Sequence, residues 1–182
     1  RNDVFDCFNI YWYMPWSIFL STSWYVVLFC FVNVAWNSSS RIKIMCLRVF
    51  GASIGKQVPI KPRVSIKYPW KLSVGNHCWI GEGVWIDNLD QVTLEDHVCL
   101  SQGAFLECGN HNYNSKKFDL MTAPIYLKQG TWIGAKALVG PGVTTGSHAV
   151  LSLGAVATKD LEPHTVYGGN PAIAIHERKI SE

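Results

Sequence analysis

Few side chains in this sequence are placed to do chemistry, and one histidine stands apart from the rest. His111 lies in CGNHNYNSKKFDL, a polar stretch with no apolar periodicity of its own. An imidazole in such a stretch can take a proton from a hydroxyl near neutral pH, where few other side chains can. Asp119, eight residues on, either orients that ring or is an ordinary solvated loop residue. Asp87 and Asn88, in WIDNL, form a second polar pair. They can bind or orient the hydroxyls of an acceptor, or fill a polar corner of the chain, and both readings stand. His77, His97 and His148 each follow an inward position of the pattern below by three residues, which is a turn position. Side chains there face solvent and do not converge, as a metal centre would require, so no metal is expected.

The elements that must position His111 follow from a repeat with a period of six. Aliphatic residues recur at Ile54, Ile60, Ile66, then Val74, Ile80, Ile86, then Leu94 and Leu100. They resume at Leu127, Ile133 and Val139, and the series closes on Thr145 and Leu151. Four residues after each, the side chain is small or β-branched in eleven of thirteen cases; Trp70 and Asp90 depart where the spacing lengthens from six to eight. A period of 2 would give a flat strand and 3.6 a helix. Six gives a short strand and a turn, and three such units close a triangular coil of about 18 residues. About five coils fit between residues 54 and 162. Glycines after the aliphatic, such as Gly75 and Gly134, suit the turns. The pattern breaks between Leu106 and Leu127, and a long excursion from a regular solenoid is where function concentrates. His111 is in that excursion.

The beat, together with YPWKLSVG, WIGEGVWIDNL, GNH, TAPI, TKD and GNPA, resembles the hexapeptide-repeat acyltransferases. Within them it resembles the colanic acid and exopolysaccharide biosynthesis acetyltransferases, and more distantly the maltose and galactoside O-acetyltransferases. The resemblance spans residues 41–178. It implies a mainly β fold, a left-handed parallel β-helix, with an apolar helical segment over residues 1–50, the coil over 51–162 with a protruding loop at 107–126, and a C-terminal extension over 163–182. It implies direct transfer of acetyl from acetyl-CoA to a hydroxyl of a saccharide or glycan precursor, with His111 as general base, in a homotrimer with its sites between subunits. Residue by residue, Ala135, Leu153, Thr158 and Lys159 match cofactor-contacting positions. Ile173 and His176 stand where the galactoside-type relatives have arginines, and Arg178 and Lys179 could substitute. An amine or xenobiotic acceptor keeps the same fold and chemistry, and a noncatalytic scaffold is the reading from another class.

Composition bounds the rest. With 48% hydrophobic and 16% charged residues the chain is not disordered. The net charge of +3 hides a belt: residues 41–81 carry eight basic side chains and no acid, whereas residues 82–182 carry seven basic and eleven acidic ones. No nucleic-acid partner is expected. Six scattered cysteines without a CxxC fit a reducing cytoplasm better than a disulfide framework. From Cys7 to Ser40 no residue is charged, and Trp16 to Trp36 has the length of a membrane span, although serines and Asn33 interrupt it. That segment either packs as helices on the main domain or a neighbouring subunit, or sits in a membrane surface with the basic belt on anionic lipid.

Overall fold

The computed structural model describes residues 18–33 and 39–180, and the parts of the apolar segment and of the C-terminal extension that fall on residues 1–17, 34–38 and 181–182 lie outside them. Every position of the six-residue beat from Ile54 to Leu151 is buried, and the column they form is the core. Burying an aliphatic side chain of this size contributes about 1.5–3 kcal/mol, so the column outweighs any single polar contact described below.

The coil is a left-handed parallel β-solenoid with three flat sides. Its first side stacks Ser53–Ile54, Leu72–Val74, Val92–Leu94, Ile125–Leu127 and Thr144–Thr145. The second stacks Trp79–Ile80, Cys99–Leu100, Trp132–Ile133, Val150–Leu151 and Thr165–Gly168, with Ile60 bridging at the start. The third stacks Ser65–Ile66, Trp85–Asp87, Phe105–Glu107, Leu138–Val139 and Val156–Ala157. Aliphatic residues align one above the next, as in Ile66↔Ile86, Ile86↔Leu106 and Leu106↔Val139. A bridge from Leu161 to Thr145 and the pairing of Leu151 with Tyr167 carry the coil beyond residue 162, so a sixth turn is begun.

Two details differ in cause from the sequence reading. Where the spacing is eight, Leu72 and Val92 take the inward place that Trp70 and Asp90 leave. The glycines after the aliphatic serve close approach between coils rather than an unusual backbone angle: a Cβ on Gly134 would stand 2.5 Å from the Leu153 nitrogen. The turns themselves use left-handed residues three places after the inward position, among them His77, His97 and His148 at φ of 56°, 61° and 59°. His77 and His97 are exposed there and stack at 5.1 Å. Thr145, the one polar member of the column, shares a 2.8 Å hydrogen bond with the hydroxyl of Thr131, so both buried hydroxyls are satisfied.

Two helices close the first end of the solenoid. Helix α1 spans Ile18–Val27 and runs into a π-helical turn at Leu28–Val32; helix α2 spans Ser40–Val49. Trp24, Leu28, Val32 and Leu47 join the core, so the described part of the apolar segment packs on the coil. No described helix is long and apolar enough to cross a membrane. Each side of the first coil ends on a backbone carbonyl that one of these helices meets. Arg48 donates to the carbonyls of Ile54 and Gly55, the Ser40 hydroxyl and the Lys43 ammonium serve Ile60 and Lys61, and the Trp24 indole N–H donates to Ile66 at 2.9 Å.

The basic belt is thereby corrected. Lys43 is fully buried, and burial lowers its pKa from the ordinary lysine value. Lys71 donates to the Leu89 carbonyl, while Arg63 and Lys67 pair with Glu82 and Asp87 at 3.1 and 2.9 Å.

Trp24→Phe keeps the ring but removes the donor to a buried carbonyl, and should lower unfolding stability by about 1–3 kcal/mol in a urea titration. The five described cysteines are all free thiols, with Cys30 exposed and Cys78 and Cys108 buried; burial pushes the Cys108 thiol up to about 12. Iodoacetamide on the native protein should therefore alkylate Cys30 and spare Cys78 and Cys108 until denaturant is added, read by peptide mass mapping.

Candidate active site

The break in the beat is an antiparallel hairpin rather than an irregular loop. It leaves the coil after Phe105–Glu107 on the third side and returns at Ile125–Leu127 on the first. Its strands are Gly109–His111 and Leu120–Thr122, with His111 opposite Leu120. Glu107 anchors the exit, its carboxylate accepting the Gly109 N–H at 2.9 Å. Burial raises the Glu107 carboxyl above the usual carboxylate range; the Gly109 N–H and Lys67 pull it back, and Asp87 pushes it further up.

His111 is held on two counts. Its ring stacks on Phe118 at 4.5 Å, only 8° from parallel, and its Nδ1 lies 2.9 Å from the Phe118 carbonyl. A carbonyl only accepts, so the proton sits on Nδ1 and the lone pair on Nε2. That is the tautomer a general base needs. The orienting group is thus the Phe118 carbonyl, which sequence patterns do not reveal. The Asp119 carboxylate instead accepts a 2.9 Å hydrogen bond from Ser115 within the hairpin.

Asp87 and Asn88 part company. Asp87 is half-buried on the strand beside Glu107 and pairs with Lys67, so Lys67, Asp87 and Glu107 form a charged ladder up to the foot of the hairpin. Asn88 is 0% exposed. Its amide accepts from the Tyr68 N–H and donates to the Tyr68 and Lys71 carbonyls, pinning the two-residue insertion of one coil to that of the coil below. The expectation that Asn88 binds the acceptor is corrected: a buried amide with those bonds made has no reach to a ligand.

The cofactor-matching residues divide between two edges. A cleft of about 520 Å³ runs along the second side and its corner toward the third. Ala135 and Leu153 line it one coil apart, Arg178 closes one end, and Trp132 forms a wall, its indole N–H fixed on the Ser101 hydroxyl at 2.8 Å. Arg178 is held in place by donating to the carbonyls of Gly130 and His148. Thr158 and Lys159 are exposed and are not in this cleft. They follow Val156–Ala157, at the corner between third and first sides, the same corner from which the hairpin springs. Ile173 and His176 are exposed on Ile173–Glu177, a strand paired antiparallel to Thr165–Gly168.

In one chain, then, His111, Asp87, Thr158 and Lys159 stand at one edge of the third side, and Ala135 and Leu153 at the other, with Trp132 on the adjoining second side. Between them the outward row Trp85, Phe105, Leu138 and Val156 is apolar; Trp85 stacks on Phe105 at 4.6 Å and is 49% exposed. Among the described residues no three His, Cys, Asp or Glu side chains converge as a metal site would.

No family model matches the chain. By sequence it is 38% identical over 142 residues to WcaF of Escherichia coli K12, provisionally named a colanic acid biosynthesis acetyltransferase, a match covering 78% of each protein. In structure it is similar to a maltose O-acetyltransferase from Clostridium difficile 630, with a TM-score of 0.81 and 22% identity over 90% of each chain. It is similar as well to a hexapeptide-repeat acetyltransferase of Vibrio cholerae O1 solved with acetyl-CoA, with a TM-score of 0.79 and 19% identity over 88% of each. These two likenesses establish the coil, and the sequence identity establishes kinship: the chain belongs to the hexapeptide-repeat acetyltransferases, in the branch that holds WcaF.

Proposed function

We propose that this acetyltransferase moves acetyl from acetyl-CoA to a hydroxyl of a saccharide or glycan precursor, with His111 as general base and no covalent enzyme intermediate. The observation that carries the mechanism is the Nδ1 hydrogen bond to Phe118, which puts the basic lone pair on Nε2. Nε2 takes the acceptor's hydroxyl proton as that oxygen attacks the thioester carbonyl. The C–S bond then breaks, and the departing thiolate takes the proton back from the imidazolium, leaving free CoA and the acetyl ester. Asp87, at the foot of the hairpin, is the acceptor-binding residue of this reading. Carboxylates accept from sugar hydroxyls, and the colanic acid assignment of WcaF supports a glycan acceptor. The apolar cleft past Ala135 and Leu153 suits pantetheine, with Arg178 at its end and Thr158 and Lys159 for phosphate. The free thiols support a reducing, cytoplasmic setting.

The division of these residues between two edges supports a site shared by two copies. Three chains with their third sides toward a common axis bring the hairpin corner of one beside the cleft corner of the next. The same arrangement buries the Trp85–Phe105–Leu138–Val156 row, an apolar strip that a lone coil leaves wet.

His111→Ala should lower kcat/KM by roughly 10²–10⁴-fold while leaving the KM for acetyl-CoA nearly unchanged, measured with labelled acetyl-CoA across a panel of saccharides and amines. Near-normal transfer by this variant would sink the mechanism, and labelling of amines alone would sink the acceptor assignment. Co-refolding His111→Ala chains with Ala135→Trp chains should restore part of the activity that each lacks alone, because a mixed trimer joins an intact hairpin to an intact cleft. Absence of any recovery, in particles that light scattering shows to be mixed, would place the whole site in one chain.

A further inference from the structure

The two faces of helix α2 differ in a way that capping alone does not require. Ser40, Lys43 and Leu47 face the coil and close its end. The opposite face carries Arg41, Met45 and Val49, with Met45 61% and Val49 77% exposed, and Arg48 stands at its border with the coil. A helix that only covered a core would turn polar residues outward. Between this face and the first corner lies a cavity of about 540 Å³, lined by Ile44, Met45 and Val49 together with Arg41, Arg48 and Lys56. No carboxylate lines it.

Of the eight basic residues in 41–81, Lys43 is consumed inside the fold, Lys71 serves a backbone carbonyl, Arg63 and Lys67 pair with acids, and Lys61 lies over the Trp79 ring at 4.5 Å. Arg41, Lys56 and Arg48 line the cavity, and the side chains of the first two serve no carbonyl or acid in the described contacts. Arg48 is fixed there by its bonds to Ile54 and Gly55. Past residue 81 the acids outnumber the bases, eleven to seven, so the positive charge is gathered at this end.

Cations alone would suit any polyanion, and aliphatic side chains alone would suit another protein. Both in one cavity, beside an exposed apolar helix face, match the boundary where phosphate headgroups meet acyl chains. We propose that the α2 end of the molecule docks on an anionic phospholipid bilayer. Lipid phosphates enter among Arg41, Arg48 and Lys56, and Met45 and Val49 reach the acyl boundary. The acidic remainder of the coil is held away from the surface, so the solenoid axis stands off the membrane. This docking does not depend on the catalytic reading, and it is measured separately from turnover.

The test is flotation of the full chain with phosphatidylcholine vesicles, with and without phosphatidylglycerol. Binding should require phosphatidylglycerol and weaken with salt. Arg41→Gln with Lys56→Gln should lower vesicle affinity roughly tenfold or more, and Met45→Ser with Val49→Ser should lower it as well. Both pairs should leave the unfolding midpoint and the transfer of acetyl to a soluble acceptor unchanged. Equal binding to pure phosphatidylcholine, no binding to either vesicle, or affinity untouched by the charge-removing pair would overturn the proposal. So would a change of oligomer size in the Met45 and Val49 variant with vesicle binding intact, which would make this face a contact between copies.

Discussion

A parallel solenoid lends each coil's hydrogen bonds to the next, so its first coil is left with carbonyls that have no strand beneath them. Everything above depends on how that edge is closed. Here four side chains do it, at least one for each side of the triangle: a guanidinium, an ammonium with a hydroxyl, and an indole. The ammonium is the costly choice, because Lys43 sits fully buried without a carboxylate partner in the described contacts, and burial works against its charge. Its place is intelligible from geometry. Ile60 joins its side by an isolated bridge, and a long flexible donor can reach both its carbonyl and the next.

From that closed end the coil works as a ruler. Because Ile86 stands on Ile66 and Leu106 on Ile86, a feature at one corner is repeated or interrupted at a fixed height. The polar ladder Lys67, Asp87 and Glu107 rises one coil at a time to the foot of the hairpin, and Ala135 and Leu153 mark the opposite corner in the same way. The spacing between the hairpin corner and the cleft corner is therefore set by the width of a side, and loop conformation enters only at the last step. There the Phe118 ring and carbonyl fix the imaginary freedom of the His111 side chain to one orientation and one tautomer.

The beat made the fold legible because a period of six constrains every third of a coil, and all thirteen positions, Thr145 included, proved to point inward. The placement of His111 on an excursion from the coil was legible from its location in the break. What the pattern could not convey was direction at the corners where the spacing lengthens. Asp87 and Asn88 are neighbours of like polarity, yet one lies on the strand's outer face and the other turns in to bond Tyr68 and Lys71. Lys43 was hidden for a related reason: among the eight cations of residues 41–81, nothing local distinguishes the one that a helix will turn inward. The separation of Ala135 and Leu153 from Thr158 and Lys159 needs the three-sided geometry to be seen at all, since only four residues part Leu153 from Thr158 in the chain.

The hairpin re-enters the coil with Leu127 directly over Leu94, as if the excursion had not occurred. An inserted segment that gives the chain back at the register where it took it leaves the ladder above and below energetically indifferent to its length. The hairpin can thus change in length around His111 without disturbing the coil on either side of it. The cleft corner, whose spacing is dictated by Gly134 pressed against the coil above it, is obliged to stay as it is.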